Sequence, residues 1–167
     1  MFREMRRSRQ QLDDAEARAV LERGTHGVLA LAGDDGYPYA VPVSYVLDGE
    51  RVWIHGARSG HKVDAVRRCE KASLCVVDCD DVVPERYTTH YRSAIAFGRI
   101  HVVEDEGQMR AGVERIARRY HPDATEQFQD EAIAREWKAL CVLAFDIEHL
   151  TGKESRELAM MRERGSR

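Results

Sequence analysis

The chain has 167 residues, of which 43% are hydrophobic and 33% are charged, and its formal net charge at pH 7 is -3. This balance indicates a globular, water-soluble protein rather than a disordered chain, and it provides no general attraction to nucleic acid or to an anionic membrane. The apolar runs are too short to span a bilayer, and the N-terminus lacks the apolar segment of a secretory signal. A cytoplasmic protein is therefore expected.

The length suits one domain with a full hydrophobic core. We place it at residues 12–155, between an arginine-rich N-terminal arm at 1–11 and a polar C-terminal tail at 156–167. The cysteines show no C-x-x-C spacing and no paired histidine motif, so no metal site is expected. They are Cys69, Cys75, Cys79 and Cys141.

The predicted secondary structure begins with one helix and continues mainly as strands. Asp13 and Glu16 form a capping-box pattern for a helix that ends at Gly24. Asp34-Asp35-Gly36 and Asp48-Gly49 are hairpin signals that join the first three strands into an antiparallel meander. The six predicted strands cover residues 26–32, 37–47, 51–55, 72–79, 91–103 and 140–147, with a bulge at Gly98 in the fifth.

Further helices are predicted at 59–69, from Glu104 to about Tyr120, and at 130–138. The first strand is apolar on both faces, which indicates that both faces are covered. Six short antiparallel strands with helices between them are typical of a closed sheet. The predicted fold class is mainly β, with additional α: a six-stranded antiparallel β-barrel with flanking helices.

The helix at 59–69 begins with the wrong charges. The N-terminal end of a helix carries a partial positive charge and favours acids, as the Glu104-Asp105-Glu106 start shows. Here Arg58, His61 and Lys62 precede the first acid, Asp64. A bound phosphate would reverse this cost, because free N–H groups and a lysine would converge on it. A solvated basic turn is the alternative.

Four motifs, in this order along the chain, resemble the FMN-binding split-barrel proteins related to pyridoxamine 5'-phosphate oxidase, and more narrowly their 5-nitroimidazole-resistance branch. The resemblance spans roughly residues 20–155. The motifs are Pro42-Val43-Ser44-Tyr45, then Ile54-His55-Gly56-Ala57 with Gly60-His61-Lys62, then Tyr91 to Gly98, and finally Thr151-Gly152-Lys153-Glu154.

This resemblance implies that the six-stranded antiparallel barrel is a split β-barrel, and that the protein is a homodimer with FMN at the subunit interface and a small-molecule substrate. Residues in matching positions would line the flavin ring (Val43, Ser44, Tyr45), pass beside the ribityl chain (His55, Gly56, Ala57) and bind the phosphate (Ser59, Gly60, His61, Lys62). A fourth group would come from near the dimer seam or reach the cofactor (Tyr91, Arg92, Ser93, Lys153). Arg92 could instead pair with an acid across the seam.

His55 is the candidate catalytic residue, since the resemblance places it in the pocket and histidine titrates near neutral pH. The basic pattern with which the pyridoxamine-phosphate oxidases hold their substrate cannot be matched in residues 148–167, which disfavours vitamin B6 oxidation.

The predicted function is an FMN-dependent oxidoreductase that passes electrons from a nicotinamide donor to a small acceptor, such as a nitroaromatic compound. One alternative is a protein that binds or senses flavin, haem or deazaflavin without turnover, with His55 as a haem ligand. Another is a dimeric interaction protein with a vestigial pocket.

Overall fold

A computed structural model describes residues 2–165, apart from the side chain of Glu163. Met1, Ser166 and Arg167, at the outer ends of the predicted arm and tail, lie outside the described residues. The strands are β1 (Gln11–Leu12), β2 (His26–Ala32), β3 (Pro38–Ser44), β4 (Val46–Asp48), β5 (Arg51–Ala57), β6 (Lys71–Val83), β7 (Thr88–Val102) and β8 (Leu140–Glu154). The helices are α1 (Asp14–Arg23), α2 (His61–Arg68), α3 (Glu106–Tyr120), α4 (Glu126–Glu136) and α5 (Arg156–Gly165).

The strands form one antiparallel sheet in the order β3-β2-β6-β7-β8-β5-β4, and β1 adds to β8. β3 also contacts β5, which brings the two ends of the sheet together. The result is the predicted split barrel with flanking helices, built from six longer strands and the short β1 and β4.

Two apolar clusters hold the fold together. The larger fills the barrel and includes fully buried side chains from α1, β2, β5 and β8, among them Leu21, Leu29, Ile54 and Phe145. The smaller packs α3 against the outside of β5 and β8. Gly112 makes this contact possible, because a Cβ atom there would lie 2.7 Å from the ring of Trp53. α3 is thereby fixed next to His55.

Several local predictions are confirmed. Asp13 Oδ1 accepts a 2.8 Å hydrogen bond from the Glu16 amide at the start of α1. Asp35 and Gly36 adopt the left-handed backbone that the β2–β3 turn requires. The ladder between β7 and β8 shifts at Gly98, where the backbone of Asp146 leaves no room for a side chain.

The predicted strand at 37–47 is wrong at one point, because Tyr45 separates β3 from β4. The Tyr120 hydroxyl accepts from the Tyr45 amide at 3.0 Å and donates to the Tyr45 carbonyl at 2.8 Å. A tyrosine side chain on α3 therefore occupies the groups with which a strand would pair.

Several predicted boundaries are also wrong. β6 runs to Val83 rather than ending near Cys79, and β7 starts at Thr88 rather than at Tyr91, because these two strands pair beyond the barrel as a two-stranded ribbon. β8 continues past residue 147 to Glu154, pairing with β7 and β1. α4 starts at Glu126 rather than near residue 130, because Thr125 caps it by accepting from the Phe128 amide.

Both ends of the chain are attached to the barrel over the described residues. Ser8–Gln10 form a single 3-10 turn, and Gln11 then pairs with Lys153 on β8. After Ser155 the predicted polar tail is the helix α5, and the 3-10 turn packs against it.

The expectation that both faces of β2 are covered is wrong for the single chain. Leu29 and Leu31 point into the barrel, whereas His26, Val28 and Ala32 are exposed on the other face. An apolar outer face is therefore left open.

Candidate functional site

The turn between β5 and α2 is positioned by β8. The Arg58 amide donates to the Ala139 carbonyl at 3.1 Å, and Ala57 pairs with Leu140. Gly60 then takes a φ of 121°, a conformation that favours glycine, and α2 begins at His61. Ser59 and Gly60 therefore precede α2, whereas the predicted helix began at residue 59.

The N-terminus of α2 has no side-chain cap. By contrast, α1, α3 and α4 are capped by Asp13, Asp105 and Thr125, each of which accepts a backbone N–H. Free N–H groups at a helix start, together with the helix dipole, favour a negatively charged ligand.

Positive charge surrounds this helix start. Within the described part of the chain, no carboxylate lies within 4.0 Å of the cationic groups of Arg58, Lys62 or Arg67. The Arg58 Nε instead donates to the Leu140 carbonyl at 2.9 Å.

Lys62 folds back over β5. A Cβ atom at Gly56 would lie 3.0 Å from the Lys62 Nζ and 3.5 Å from its Cε. Glycine at position 56 therefore leaves the space that the ammonium group occupies. The predicted pair Gly56 and Lys62 is brought together at the end of β5.

His61 has a different environment from Lys62. Its ring stacks on Tyr39 with centroids 3.9 Å apart, and its Nε2 lies 3.5 Å from the Asp34 carboxylate. Arg68 donates to the same carboxylate at 2.7 Å. The acid near this turn is thus engaged by His61 and Arg68, and a phosphate role for His61 stays a prediction.

His55 lies on the outer side of β5, one residue before Gly56. Partial burial, and then the positive charge of Lys62, lower its pKa below the ordinary value of 6.5. The imidazole is therefore neutral at pH 7, and it can accept a hydrogen bond or ligate a metal through a ring nitrogen.

His55 and Ser44 form the strand side of a cleft of about 330 Å³. α3, α4 and the loop between them form the other walls, mostly with apolar side chains. These lining residues are Val113, Ile116, Ala117, Tyr120, His121, Ala124, Phe128, Gln129, Ala132 and Ile133. The volume is within the range of small-molecule sites.

Sequence reasoning missed the helical walls of this cleft. Val113, Ile116 and Tyr120 recur at the spacing of a helix that packs on a core, and the same side chains also border the cleft. The small residues Ala117, Ala124 and Ala132 gave a weak signal, since they leave space where a packed core would carry larger side chains.

Of the three residues predicted to line a flavin ring, only Ser44 reaches this cleft with its side chain. Val43 is buried in the barrel core, with 7% of its surface exposed. Tyr45 is fully buried, and its hydroxyl donates to the Leu21 carbonyl at 2.6 Å. Burial raises the Tyr45 pKa far above its ordinary value. Contact of Val43 and Tyr45 with a flavin stays a prediction.

The last predicted group lies elsewhere in the same chain. Tyr91, Arg92 and Ser93 are near the start of β7, next to Lys153 at the end of β8. Lys153 is twelve positions along β8 from Cys141, the pairing partner of Gly56, or about 40 Å of extended strand. One chain therefore does not bring this group to Lys62.

Arg92 forms ion pairs within its own chain, and the predicted pair with an acid across the seam stays a prediction. Arg92 donates to Glu154, which is fully buried, at 3.1 Å, and lies 3.6 Å from Asp78. Lys153 Nζ lies 5.5 Å from the centre of the Tyr91 ring.

A family described as "Pyridoxamine 5'-phosphate oxidase" matches residues 13–154. Since this match covers most of the chain, the protein belongs to that family. A comparison with curated proteins finds no significant match in sequence.

Solved structures of the same fold include a candidate 5-nitroimidazole antibiotic resistance protein from Bacteroides thetaiotaomicron (19% identity, 86% of each chain covered, TM-score 0.73). Another is the flavocytochrome Anf3 from Azotobacter vinelandii (19% identity, 91% of this chain and 72% of that one, TM-score 0.75). A third is the FAD and haem binding protein from Mycobacterium smegmatis (22% identity, 88% and 74%, TM-score 0.71). None of the described helices is long and apolar enough to cross a membrane.

Proposed function

We propose that this protein is an FMN-binding oxidoreductase that reduces small, largely apolar acceptors, with a nicotinamide nucleotide as electron donor. The observation that carries the proposal is the ammonium group of Lys62, which has no acidic partner among the described residues. It lies over Gly56, beside a helix N-terminus that has no side-chain cap. This combination fits the terminal phosphate of FMN, because a lysine and free N–H groups can neutralise it together. Two solved structures of this fold are described as a flavocytochrome and as an FAD and haem binding protein, which supports a flavin as the cofactor.

The residues present fit such a cofactor in a consistent order along β5. Lys62, Ser59 and the α2 N–H groups would hold the phosphate, and Gly56 and Ala57 would let the ribityl chain approach the backbone. His55 and Ser44 would lie beside the ring. FMN, when bound, would supply the electron transfer, and the chain would bind, orient and shield it.

The cleft between β5 and α3–α4 would hold the acceptor. Its walls are apolar, and its polar groups on the strand side are those of His55 and Ser44. A flat, uncharged molecule fits this surface better than an anion or a sugar does, because buried polar groups without partners are costly. Neutral His55 could exchange a proton with the solvent and the acceptor as the latter is reduced.

We also propose a homodimer, which the open outer face of the sheet supports. The register places Pro42, Val28, Cys75, Ile95 and Thr151 in one row across five strands. The adjacent row is Ala40, Ala30, Ser73, Phe97 and His149. The Phe2 ring of the same chain lies against Phe97 and His149, so this end of the row is covered and the rest of the face is open. Neither row contains Asp, Glu, Lys or Arg. A largely apolar face without these residues is typical of an interface. A second copy could bring Tyr91, Arg92, Ser93 and Lys153 towards the Lys62 site.

Haem is the second candidate ligand. The position of a neutral histidine at the wall of an apolar cleft suits an axial ligand to haem iron. Two structures of this fold are described as a flavocytochrome and as an FAD and haem binding protein. A Soret band that disappears in His55→Ala would favour this function.

The test of the oxidoreductase proposal is turnover by the FMN-loaded protein. Oxidation of NADPH with a 5-nitroimidazole as acceptor should exceed the rate of the same concentration of free FMN by at least tenfold. Ala117→Phe should fill the cleft and reduce that rate, while leaving FMN affinity unchanged. A rate equal to that of free FMN would contradict the proposal.

A further inference from the structure

The described chain contains a second group of cations without acidic partners. A cavity of about 540 Å³ lies between the N-terminal segment and the start of α5. Four arginines line it, together with Ser8 and Gln10: Arg6, Arg7, Arg9 and Arg156. Arg9, Gln10 and Arg156 also line a neighbouring cavity of about 340 Å³ under α5, so the two spaces are contiguous.

None of these four arginines has a carboxylate within 4.0 Å in the described part of the chain, and no acid lines either cavity. Elsewhere, arginines such as Arg23, Arg51 and Arg99 are paired with acids. The chain as a whole has a net charge of -3, so the four positive charges at this cavity are not a property of the overall composition. Because like charges at close range repel one another, the cluster is unfavourable without an anion.

The secondary structure holds this cluster in place. Gln11 pairs with Lys153, which fixes Arg9 and Gln10 beside the end of β8, and Arg156 opens α5 directly after that strand. Arg156 is also in the first helical turn, where the dipole disfavours a cation. An anion between the N-terminal segment and α5 would offset both the repulsion and this misplaced charge.

Gln10 favours an organic anion over an inorganic one as the ligand of this cavity. Its side chain lies among the arginines with only 9% of its surface exposed, and its Oε1 is buried without a hydrogen-bond partner among the described residues. An unpaired buried acceptor is costly, so the ligand should also carry a hydroxyl or amino donor.

We propose that this cavity binds a nucleotide-sized phosphate ester, with its phosphates between Arg6, Arg7, Arg9 and Arg156 and a hydroxyl or amino group on Gln10. Guanidinium groups recognise phosphate with paired hydrogen bonds, and the volume suits a single small molecule. The cluster lines a cavity rather than a long stripe, which favours a small ligand over a nucleic acid strand. In one chain the cavity lies at the opposite end of β8 from Lys62. In the proposed dimer this end of β8 would approach the Lys62 site of the second copy, so the test includes a Lys62 variant that separates the two sites.

The test compares the binding of ADP and adenosine to the full-length protein by calorimetry at 150 mM salt. ADP should bind once per chain and at least thirtyfold more tightly than adenosine. Arg9→Gln/Arg156→Gln should weaken ADP binding at least tenfold. The control Arg86→Gln/Arg135→Gln removes the same charge from exposed positions outside the cavity and should bind as the wild type does. Gln10→Leu should weaken ADP more than it weakens inorganic pyrophosphate, which presents no donor.

Three results would overturn the proposal. The first is no ADP binding at millimolar concentration, or equal losses in the test and control variants. The second is binding of a twenty-nucleotide oligonucleotide with a higher affinity than that for ADP, and with an affinity that falls steeply as the salt concentration rises. This result would indicate a nucleic acid surface. The third is ADP binding that disappears in Lys62→Met and competes with FMN, which would place ADP in the α2 site.

Discussion

The ammonium group of Lys62 lies where a side chain at Gly56 would begin, since a Cβ atom there would be 3.0 Å from Nζ. This relationship joins the end of β5 to the start of α2 and leads to the first prediction. Gly56→Ala should displace the Lys62 ammonium group from its place over the strand and weaken FMN binding severalfold, without unfolding the protein. The measurement is quenching of FMN fluorescence.

Gly49→Ala is an imperfect control for this change, because Gly49 has a positive φ. A better control is Gly107→Ala at the start of α3, where a Cβ atom would lie 3.3 Å from the flexible Asp105 side chain. If Gly56→Ala and Gly107→Ala both bind FMN with the affinity of the wild type, the position of Lys62 does not matter for binding.

The second prediction concerns the protonation of His55. Because burial and then Lys62 lower its pKa, the imidazole should titrate below 6.5 in the folded protein. Lys62→Met removes one of these causes and should raise the pKa, although burial keeps it below the ordinary value. Nuclear magnetic resonance titration of the histidine ring protons measures the pKa in both proteins. An unchanged pKa in Lys62→Met would contradict the electrostatic effect of Lys62 on His55.

The same shift has a consequence for stability. The unfolded chain binds a proton on His55 at a higher pH than the folded chain does, so acidification favours the unfolded chain. The contribution of His55 to stability is therefore present above pH 6.5 and declines as the pH falls through that value. His55→Gln should show a smaller loss of stability between pH 7 and pH 5 in urea unfolding.

The third prediction concerns the buried hydroxyl of Tyr45. Tyr45→Phe removes the 2.6 Å hydrogen bond to the Leu21 carbonyl and leaves that buried acceptor unpaired. We expect a loss of about 1–3 kcal/mol in the free energy of unfolding. Flavin binding should not change, because this hydroxyl faces the core and not the cleft. A change in FMN affinity without a change in stability would contradict this assignment.

The fourth prediction concerns the outer face of the sheet. Val28 has 43% of its surface exposed and lies in the uncharged row across β3, β2, β6, β7 and β8. Val28→Lys should convert the proposed dimer to a monomer in sedimentation velocity experiments. Tyr37→Lys, at an exposed turn, is the matched control and should leave the dimer intact. A wild-type monomer at micromolar concentration would contradict the proposed assembly.

Local signals in the sequence were sufficient for much of the fold. The capping pattern of Asp13 and Glu16 involves residues three apart, and the bulge at Gly98 follows from a residue without a side chain. The ends of β6 and β8 could not be predicted in this way. Their polar segments become strands only because β7 pairs with both, and such long-range pairing leaves no short periodic pattern.

The candidate site was predictable where it depends on neighbouring residues in the sequence, and not where it depends on packing between distant elements. The basic residues Arg58, His61 and Lys62 lie within five consecutive positions at a predicted helix start, so the helix dipole alone identified them as misplaced charges. The cleft depends on the packing of α3 and α4 against β5, which brings Phe128 and His55 to one surface from distant positions. The burial of Tyr45 likewise depends on Leu21 and Tyr120, which no local pattern connects to it.

The central claim is that the positive charge at the start of α2 binds and neutralises the phosphate of a flavin nucleotide. Titration of the cofactor-free protein with FMN and with riboflavin, in the wild type and in Lys62→Met, tests it most directly. We predict that the wild type prefers FMN over riboflavin by at least tenfold and that Lys62→Met loses most of this preference. Equal binding of FMN and riboflavin by the wild type, or no binding of either, would contradict the account.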